Sequence, residues 1–407
     1  MHRTARMALI ISVALLLIIG ISMLYSTSYT AFGESLLKKQ LLWVGGGLLA
    51  AGLAGGLLDY RRLNRYAWWI LALFVALLGY LGLAFILYRT GLAPTSWLKK
   101  LPFITGLTKG SLRWLRVWNF SLQPSEFAKL ALVLFLAAYL PRHARHTLEF
   151  YRGFLKPMAA AGTVVGLILL GGDLSSTAIA GGVVFGMAFM GGVRLRYLTL
   201  CVLAGALLAG AAIRLSPERM SRMTSYRDPE RYQQDDGYQL WHSQLAIGSG
   251  GWRGLGFTNS RMKRYYLPEA HTDFIVAIIG EELGFLGVLS LILLYAALVA
   301  AILWTGALAA DREGMLLCAG VAMIIGLQAL VNISVISGFC PTTGVTAPFI
   351  SYGGSSVVAS LLGLGLVLSV SRIGEQDAAL AAQAQSPARR EPACRLRPQA
   401  KASGAAG

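Results

Sequence analysis

Ten runs of mostly apolar residues, each near the length that crosses a bilayer, dominate this chain. They fall at residues 7–26, 39–57, 66–88, 124–140, 157–171, 174–192, 195–213, 273–308, 314–338 and 348–372. A crossing helix needs about 20 such residues. Backbone inside hydrocarbon has no water to bond to, so only helices and closed barrels span a membrane. Runs this long predict helices. The expectation is an all-α polytopic membrane protein of about ten transmembrane helices, with long loops on its outer side. Charge content agrees. Of 407 residues, 14% are Asp, Glu, Lys or Arg, where a soluble domain carries about 25%. Two details are less regular. Run 273–308 exceeds one crossing and must tilt or project beyond the bilayer. Gly172-Asp173-Leu174-Ser175-Ser176 interrupts residues 157–192, so the two runs it separates read equally as short helices.

The first run is too long for a signal-peptide core and reads as an uncleaved anchor. Orientation follows from basic residues in short loops. With the N-terminus inside, the inner short loops hold Arg61, Arg62, Arg65, Arg142, Arg145, Arg152, Lys156, Arg194 and Arg312, and the outer ones only Lys38 and Lys39. Both termini are thus expected in the cytoplasm and the protein in the cytoplasmic membrane. Loops 89–123 and 214–272 fall outside. Both are basic, but long loops weigh little in this rule. The net charge of +17 lies in loops between spans. That placement argues against nucleic acid and for anionic headgroups or a phosphorylated lipid. Cys201, Cys318, Cys340 and Cys394 have no metal-ligand spacing. The polytopic domain is expected to end near residue 372. Residues 373–407, rich in Ala, Gln, Pro and Arg, read as a disordered tail.

Three stretches carry usable chemistry. In Tyr265–Gly284, Glu269, His271 and Asp273 stand just ahead of an apolar run. An ionisable group there is costly unless it meets water or a partner, and marks a functional site by default. Asp273 alone would equally serve as an ordinary helix-start carboxylate. A helix starting near His271 would align Asp273, Ala277, Gly280 and Gly284, a face suited to helix packing or to a lipid chain. Glu281 and Glu282 lie deeper and need partners. In Ser121–Lys129, Pro124 suits the first helical position and Glu126 the first turn. Glu126 and Lys129 share a face, so an ion pair and a substrate contact are both open. Lys129 is a compact cation suited to phosphate. Arg113 and Trp114, just upstream, could clamp a sugar-phosphate, or Trp114 could anchor at the interface. In Pro341–Ser356, Ser351 and Tyr352 offer hydroxyls after a constrained turn. Ser355, Ser356, Gln328 and Asn332 read as glue between helices. All three stretches share one side of the membrane. Motifs for nucleotide or nicotinamide binding are missing. Carboxylate, cation, hydroxyl and aromatic groups fit acid–base work on a lipid-linked, phosphorylated substrate.

GSLRW, SLQPSEFAKLALV, YQLWHSQLAIGSGG, NSRMKRYYLPEAHTDFI, IGEELG and PFISYGGSS, in this order, resemble the SEDS family of shape, elongation, division and sporulation proteins. The likeness runs from the first span to about Arg372. With DYRRL at 59–63, it is closer to the family's division members than to its elongation members. It implies a ten-helix SEDS-type fold and a peptidoglycan glycosyltransferase that polymerises lipid II into glycan strands. The implied partners are lipid II, nascent glycan, a class B penicillin-binding transpeptidase and other division proteins. The family's essential acid maps onto Asp273. Arg113, Trp114, Glu126, Lys129, Arg264, Glu269, His271, Ser351 and Tyr352 are the expected substrate contacts. A divalent cation could share the work through Glu269 or Asp273. Two departures stand out. Relatives often have PTKG where this chain has Pro341-Thr342-Thr343-Gly344, which leaves Lys263 and Arg264 as candidates to replace the missing cation. Loop 89–112 is longer and adds Lys99 and Lys100. Two rival readings involve no bond chemistry: a lipid II flippase, or a division scaffold.

Overall fold

The computed structural model describes residues 1–385 except 93, 95–96, 98–100, 106–110, 118–119 and 236. Lys99, Lys100 and the tail beyond 385 therefore lie outside the described residues. The helices are α1 (His2–Phe32), α2 (Ser35–Gly56), α3 (Tyr60–Arg65) and α4 (Ala67–Arg89). A short antiparallel hairpin follows, β1 (Leu115–Val117) and β2 (Phe120–Leu122). Then come α5 (Pro124–Arg142), α6 (Lys156–Leu170), α7 (Leu174–Met190), α8 (Leu195–Arg214), α9 (Pro217–Arg227), α10 (Tyr238–Gly250), α11 (Met262–Tyr265), α12 (Ile275–Ala307), α13 (Arg312–Ile336) and α14 (Gly354–Gln385). Among the described residues, eight helices are long and apolar enough to cross a membrane. The other two expected spans are α2, diluted by glycine, and α7, a shorter apolar helix of 17 residues.

α5 is the central pillar. Residues 128–140 are all buried, as expected of a helix that is apolar all round. α13, α4, α7 and α14 pack around it. α2 lies flat against α14 because both carry small residues there. A Cβ on Gly365 would sit 2.6 Å from the Ala51 carbonyl oxygen, and one on Gly47 2.6 Å from Leu361. Glycine is what lets these backbones meet. α8 is the exception. Only 6% of its apolar window is buried. Its sequence resembles the other spans, yet Leu198 is its single buried residue.

One end of the bundle gathers the N-termini of α2, α5, α7, α12 and α14 with both long loops. The opposite end is tied by ions. Arg61 reaches Asp311 and Asp377, both at 2.7 Å, and Arg142 reaches Glu313 at 3.0 Å. α14 runs on to Gln385. Residues 373–385, expected to belong to a disordered tail, are part of this helix. Arg3 and Arg6 meet Glu375, and Arg61 meets Asp377, so the first turns past the bundle gain partners.

The expected single long span at 273–308 is two helices. Gly284 breaks it with φ 69°, ψ −165°. The glycine-rich loop after α10 repairs the broken backbone. Leu255 and Gly256 N–H donate to Glu281 and Glu282 carbonyls at 2.9 and 3.0 Å, and Phe285 N–H donates to Gly251 at 2.8 Å. A Cβ on Gly284 would lie 2.4 Å from the Gly254 nitrogen. The break ends the first helix early and leaves residues 285–307 as a helix of their own.

Candidate active site

The same loop wraps the two deep carboxylates. Glu281 accepts from the Ser260 hydroxyl and from Arg261 N–H at 2.8 Å. Glu282 accepts from Ser26, from Thr258 N–H at 3.0 Å and from Lys263 Nζ at 2.6 Å. Lys263 also donates to Ser26 at 2.7 Å. The partners that these glutamates required are therefore α1 and segment 258–263. Lys263 is 8% exposed and held by Glu282. It is not available to replace the cation missing at residues 341–344. Arg264, one residue on, is exposed.

That latch sets where the next ten residues run. Glu269 turns the chain in the left-handed region, φ 59°, which is uncommon for a residue with a Cβ. Its carboxylate accepts from the Thr272 hydroxyl at 3.0 Å, and its carbonyl from Thr272 N–H at 3.1 Å. α12 begins only at Ile275. Asp273 therefore stands in the turn before the helix, and the stripe drawn through Asp273, Ala277, Gly280 and Gly284 is not one helical face. Asn332 of α13 pins the turn. Its Nδ2 donates to the Asp273 carbonyl at 2.9 Å and to the Val345 carbonyl at 2.7 Å. The half-buried Asp273 carboxylate faces Gly344, where a Cβ would be 3.5 Å from Oδ2. Asn332 is thus glue of a particular kind, joining the acidic turn to the 341–345 loop.

Tyr352 N–H donates to the His271 carbonyl at 3.0 Å, and the two rings lie 6.1 Å apart. Both side chains are half-buried. The Tyr352 phenol is an O–H donor at neutral pH. Ser351 is placed differently. It is 1% exposed and accepts from Ala347 N–H at 2.9 Å, which closes the turn before α14. Its hydroxyl is spent on the backbone. Gln40 of α2 steadies the same turn, donating to the Ser351 carbonyl at 3.3 Å.

The hairpin and the start of α5 abut α14. The Ser355 hydroxyl accepts from Gln123 N–H at 3.0 Å, and the Gln123 amide donates to Asp173 at 3.2 Å. Asp173 caps α7, accepting from Ser176 N–H at 3.0 Å. Arg113 lies against this cap, 2.6 Å from the Gly172 carbonyl and 3.9 Å from Asp173. Gln123, Ser355 and the Tyr352 turn thus link Arg113 to His271 and Asp273 across one surface. Trp114 is half-buried, and its carbonyl accepts from Thr105.

Lys129 does not reach that surface. It is 1% exposed and bonds Glu126 at 2.7 Å, and Gln328 donates to the other oxygen of Glu126 at 3.3 Å. Of the two readings left open by the spacing, the ion pair is the one formed. One turn into α5 is too deep for a phosphate contact, because the pillar is covered on all sides.

Sequence reasoning missed Asp173, Gln123 and the Lys263–Glu282 pair. A Lys near an Asp/Glu-bearing apolar run was the available signal for the last. Among the described residues no three His, Cys, Asp or Glu side chains cluster as a metal cage. Glu269, already bonded to Thr272, and Asp273 offer two carboxylates.

The chain as a whole is similar to known proteins. The model of the cell cycle protein family FtsW/RodA/SpoVE matches residues 4–376. A probable peptidoglycan glycosyltransferase FtsW of Taylorella equigenitalis (strain MCE9) is 43% identical over 63% of this chain and 71% of its own. One of Coxiella burnetii (strain RSA 493 / Nine Mile phase I) is 35% identical over 89% of this chain and 93% of its own. A solved chain from a peptidoglycan synthase complex that coordinates polymerization and crosslinking superposes with TM-score 0.72 at 30% identity, over 91% of this chain and 98% of that one.

Proposed function

This multi-pass membrane protein belongs to the FtsW/RodA/SpoVE cell cycle family, and from that premise we propose that it is a peptidoglycan glycosyltransferase polymerising lipid II for septal wall synthesis. The observation that carries the reading is the position of Asp273. It is a half-buried carboxylate in a pinned turn, at the end of the bundle where both long loops gather. There Asp273 acts as general base. It takes the proton from the 4-hydroxyl of an acceptor N-acetylglucosamine as that oxygen bonds to C1 of the undecaprenyl-pyrophosphate-linked glycan. The C1–phosphate bond breaks and the pyrophosphate leaves. The base must come within about 2.6–3.2 Å of the hydroxyl, or act through one water. Arg113 and the exposed Arg264 offset the charge of the leaving group, an electrostatic role. His271 and Tyr352 offer ring faces and a phenol O–H to the sugars. Glu269 shapes the turn that presents Asp273.

The proposed partners are lipid II, the nascent strand, a class B penicillin-binding transpeptidase and other division proteins. The solved relative from a complex that couples polymerization to crosslinking supports the transpeptidase. The deciding assay incubates purified protein and partner with lipid II in detergent. Detergent removes any membrane to flip across, so polymer isolates the chemistry. Its failure with a folded, partner-bound protein would leave the flippase or scaffold reading.

The reading needs Asp273 outside the cytoplasmic membrane, with both termini inside. Single cysteines at the exposed positions Gln233 and Thr258, in a background without native cysteines, should react with an impermeant thiol reagent added from outside. One at exposed Ala144 should react only after the membrane is opened. The opposite labelling pattern would put Asp273 in the cytoplasm and end the proposal.

A further inference from the structure

At the end of the bundle opposite Asp273, a cleft of about 90 Å³ opens between α3, α4 and the last turns of α5. Its walls are aromatic. Trp68 meets Phe135 edge-on at 4.6 Å, and Tyr139 stacks on His143 at 4.1 Å. Its mouth is cationic. The exposed Lys156 ammonium lies 6.0 Å from the Trp68 ring centre, and Arg142 is 43% exposed beyond its pairing with Glu313. Its floor holds an unmet acceptor. Asn64 lines the cleft and is 1% exposed. Its Nδ2 donates to Glu313 at 2.9 Å, while its Oδ1 has no partner. The carboxylate fixes which end of the amide is nitrogen, so the orphan cannot be cured by flipping the amide. A buried carbonyl left unpaired is unfavourable, because it has given up water and gained no donor. Nearby polar groups are already committed, with Tyr139 donating to the Arg152 carbonyl and His143 Nδ1 bonded to the Tyr139 carbonyl.

The cleft thus asks for three things in one molecule: an anion at Lys156 and Arg142, an apolar part against the aromatic walls, and a hydroxyl reaching inward to Asn64. It sits at the start of the apolar helix α4 and the end of α5, so its occupant arrives from the adjacent leaflet. The geometry points to a binding site for an anionic glycerophospholipid with a hydroxylated headgroup, of the phosphatidylglycerol type. The phosphate meets the cations, the first acyl carbons lie on Trp68 and Phe135, and a headgroup hydroxyl donates to Asn64 Oδ1 after a small shift of the floor. A zwitterionic lipid ending in an ammonium is disfavoured by Lys156 and Arg142. This site is separate from the reaction proposed above and does not depend on it.

The test uses the full-length protein in detergent and counts retained lipid by native mass spectrometry. Three probes are used: phosphatidylglycerol, phosphatidylethanolamine and soluble glycerol 1-phosphate. One phosphatidylglycerol should survive delipidation, at fivefold or greater occupancy over phosphatidylethanolamine. Lys156→Glu, at an exposed position that should not disturb folding, should lower that occupancy at least tenfold. Asn64→Leu should lower it at least threefold, with thermal melting checked alongside, and Lys156→Glu decides if that variant fails to fold. Equal retention of the two lipids, or retention unchanged in Lys156→Glu, overturns the site. Glycerol 1-phosphate should not displace the lipid at millimolar concentration. If it does, the headgroup alone is read and the lipid assignment falls.

Discussion

Asp273→Asn is expected to yield a folded, membrane-inserted protein that binds its partner and makes no glycan polymer. The substitution keeps the shape and hydrogen-bonding reach of the side chain and removes its ability to take a proton. The turn should survive, because Asn332 holds the backbone carbonyl of residue 273 rather than its carboxylate. General-base catalysis contributes about 10²–10⁴ in rate, enough to take polymer below detection in a gel assay with labelled lipid II. The variant should melt within a few degrees of the wild type, which separates lost chemistry from lost fold. Substantial polymer from Asp273→Asn in detergent would remove this residue from the mechanism.

A second large effect is expected from Lys129→Ala, for a different reason. The lysine is buried and paired, so removing it strands the Glu126 carboxylate inside the pillar helix. Breaking a buried pair from one side costs about 3–5 kcal/mol. Much less folded protein should be recovered, with a clearly lower melting temperature in detergent. Replacing both partners, Glu126→Gln with Lys129→Met, should restore most of the stability, because no charge is left alone and Gln328 keeps an acceptor. Polymerisation should return with the fold. A double variant that melts normally yet makes no polymer would show that Lys129 does touch the substrate. A Lys129→Ala protein as stable as wild type would refute the buried-pair account.

Much of this architecture was legible because span length and apolar content are local properties. Each run of about 20 apolar residues stands for a helix whatever surrounds it. The break at Gly284 was not legible, because a glycine inside an apolar helix is common. It becomes a joint only when another backbone is present to bond the freed groups, and here that backbone is the loop around Gly254. The sparse cover of α8 was hidden for a related reason. Lipid-facing and protein-facing helices share one composition when lipid is as apolar as leucine. At the site, the acid-bearing turn could be read from its charge next to an apolar run, but its geometry could not. Asp273 seemed to open a helix, and in fact precedes it. Lys129 was open to either an ion pair or substrate, and Lys263 read as a cation for substrate. Only tertiary pairing shows them bound to Glu126 and Glu282.

The joint at Gly284 divides one continuous rod into parts that answer to different forces. Residues 285–307 keep one apolar face exposed, with Phe285, Leu286, Leu293 and Leu303, and in a thinner or thicker bilayer that face changes tilt at a cost of fractions of a kcal/mol per ångström. Residues 275–283 are gripped by the loop that wraps Glu281 and Glu282, and through Lys263 and Ser26 by α1. A rigid rod would deliver every change of tilt to the acid at its tip. A jointed one dissipates it partway, as a flexible coupling keeps shaft wobble from a tool head. The expected consequence is a polymerisation rate that stays level when the enzyme is moved between bilayers of short and long acyl chains. A rate that followed chain length would mean the coupling is stiff, and that the membrane itself sets the position of Asp273.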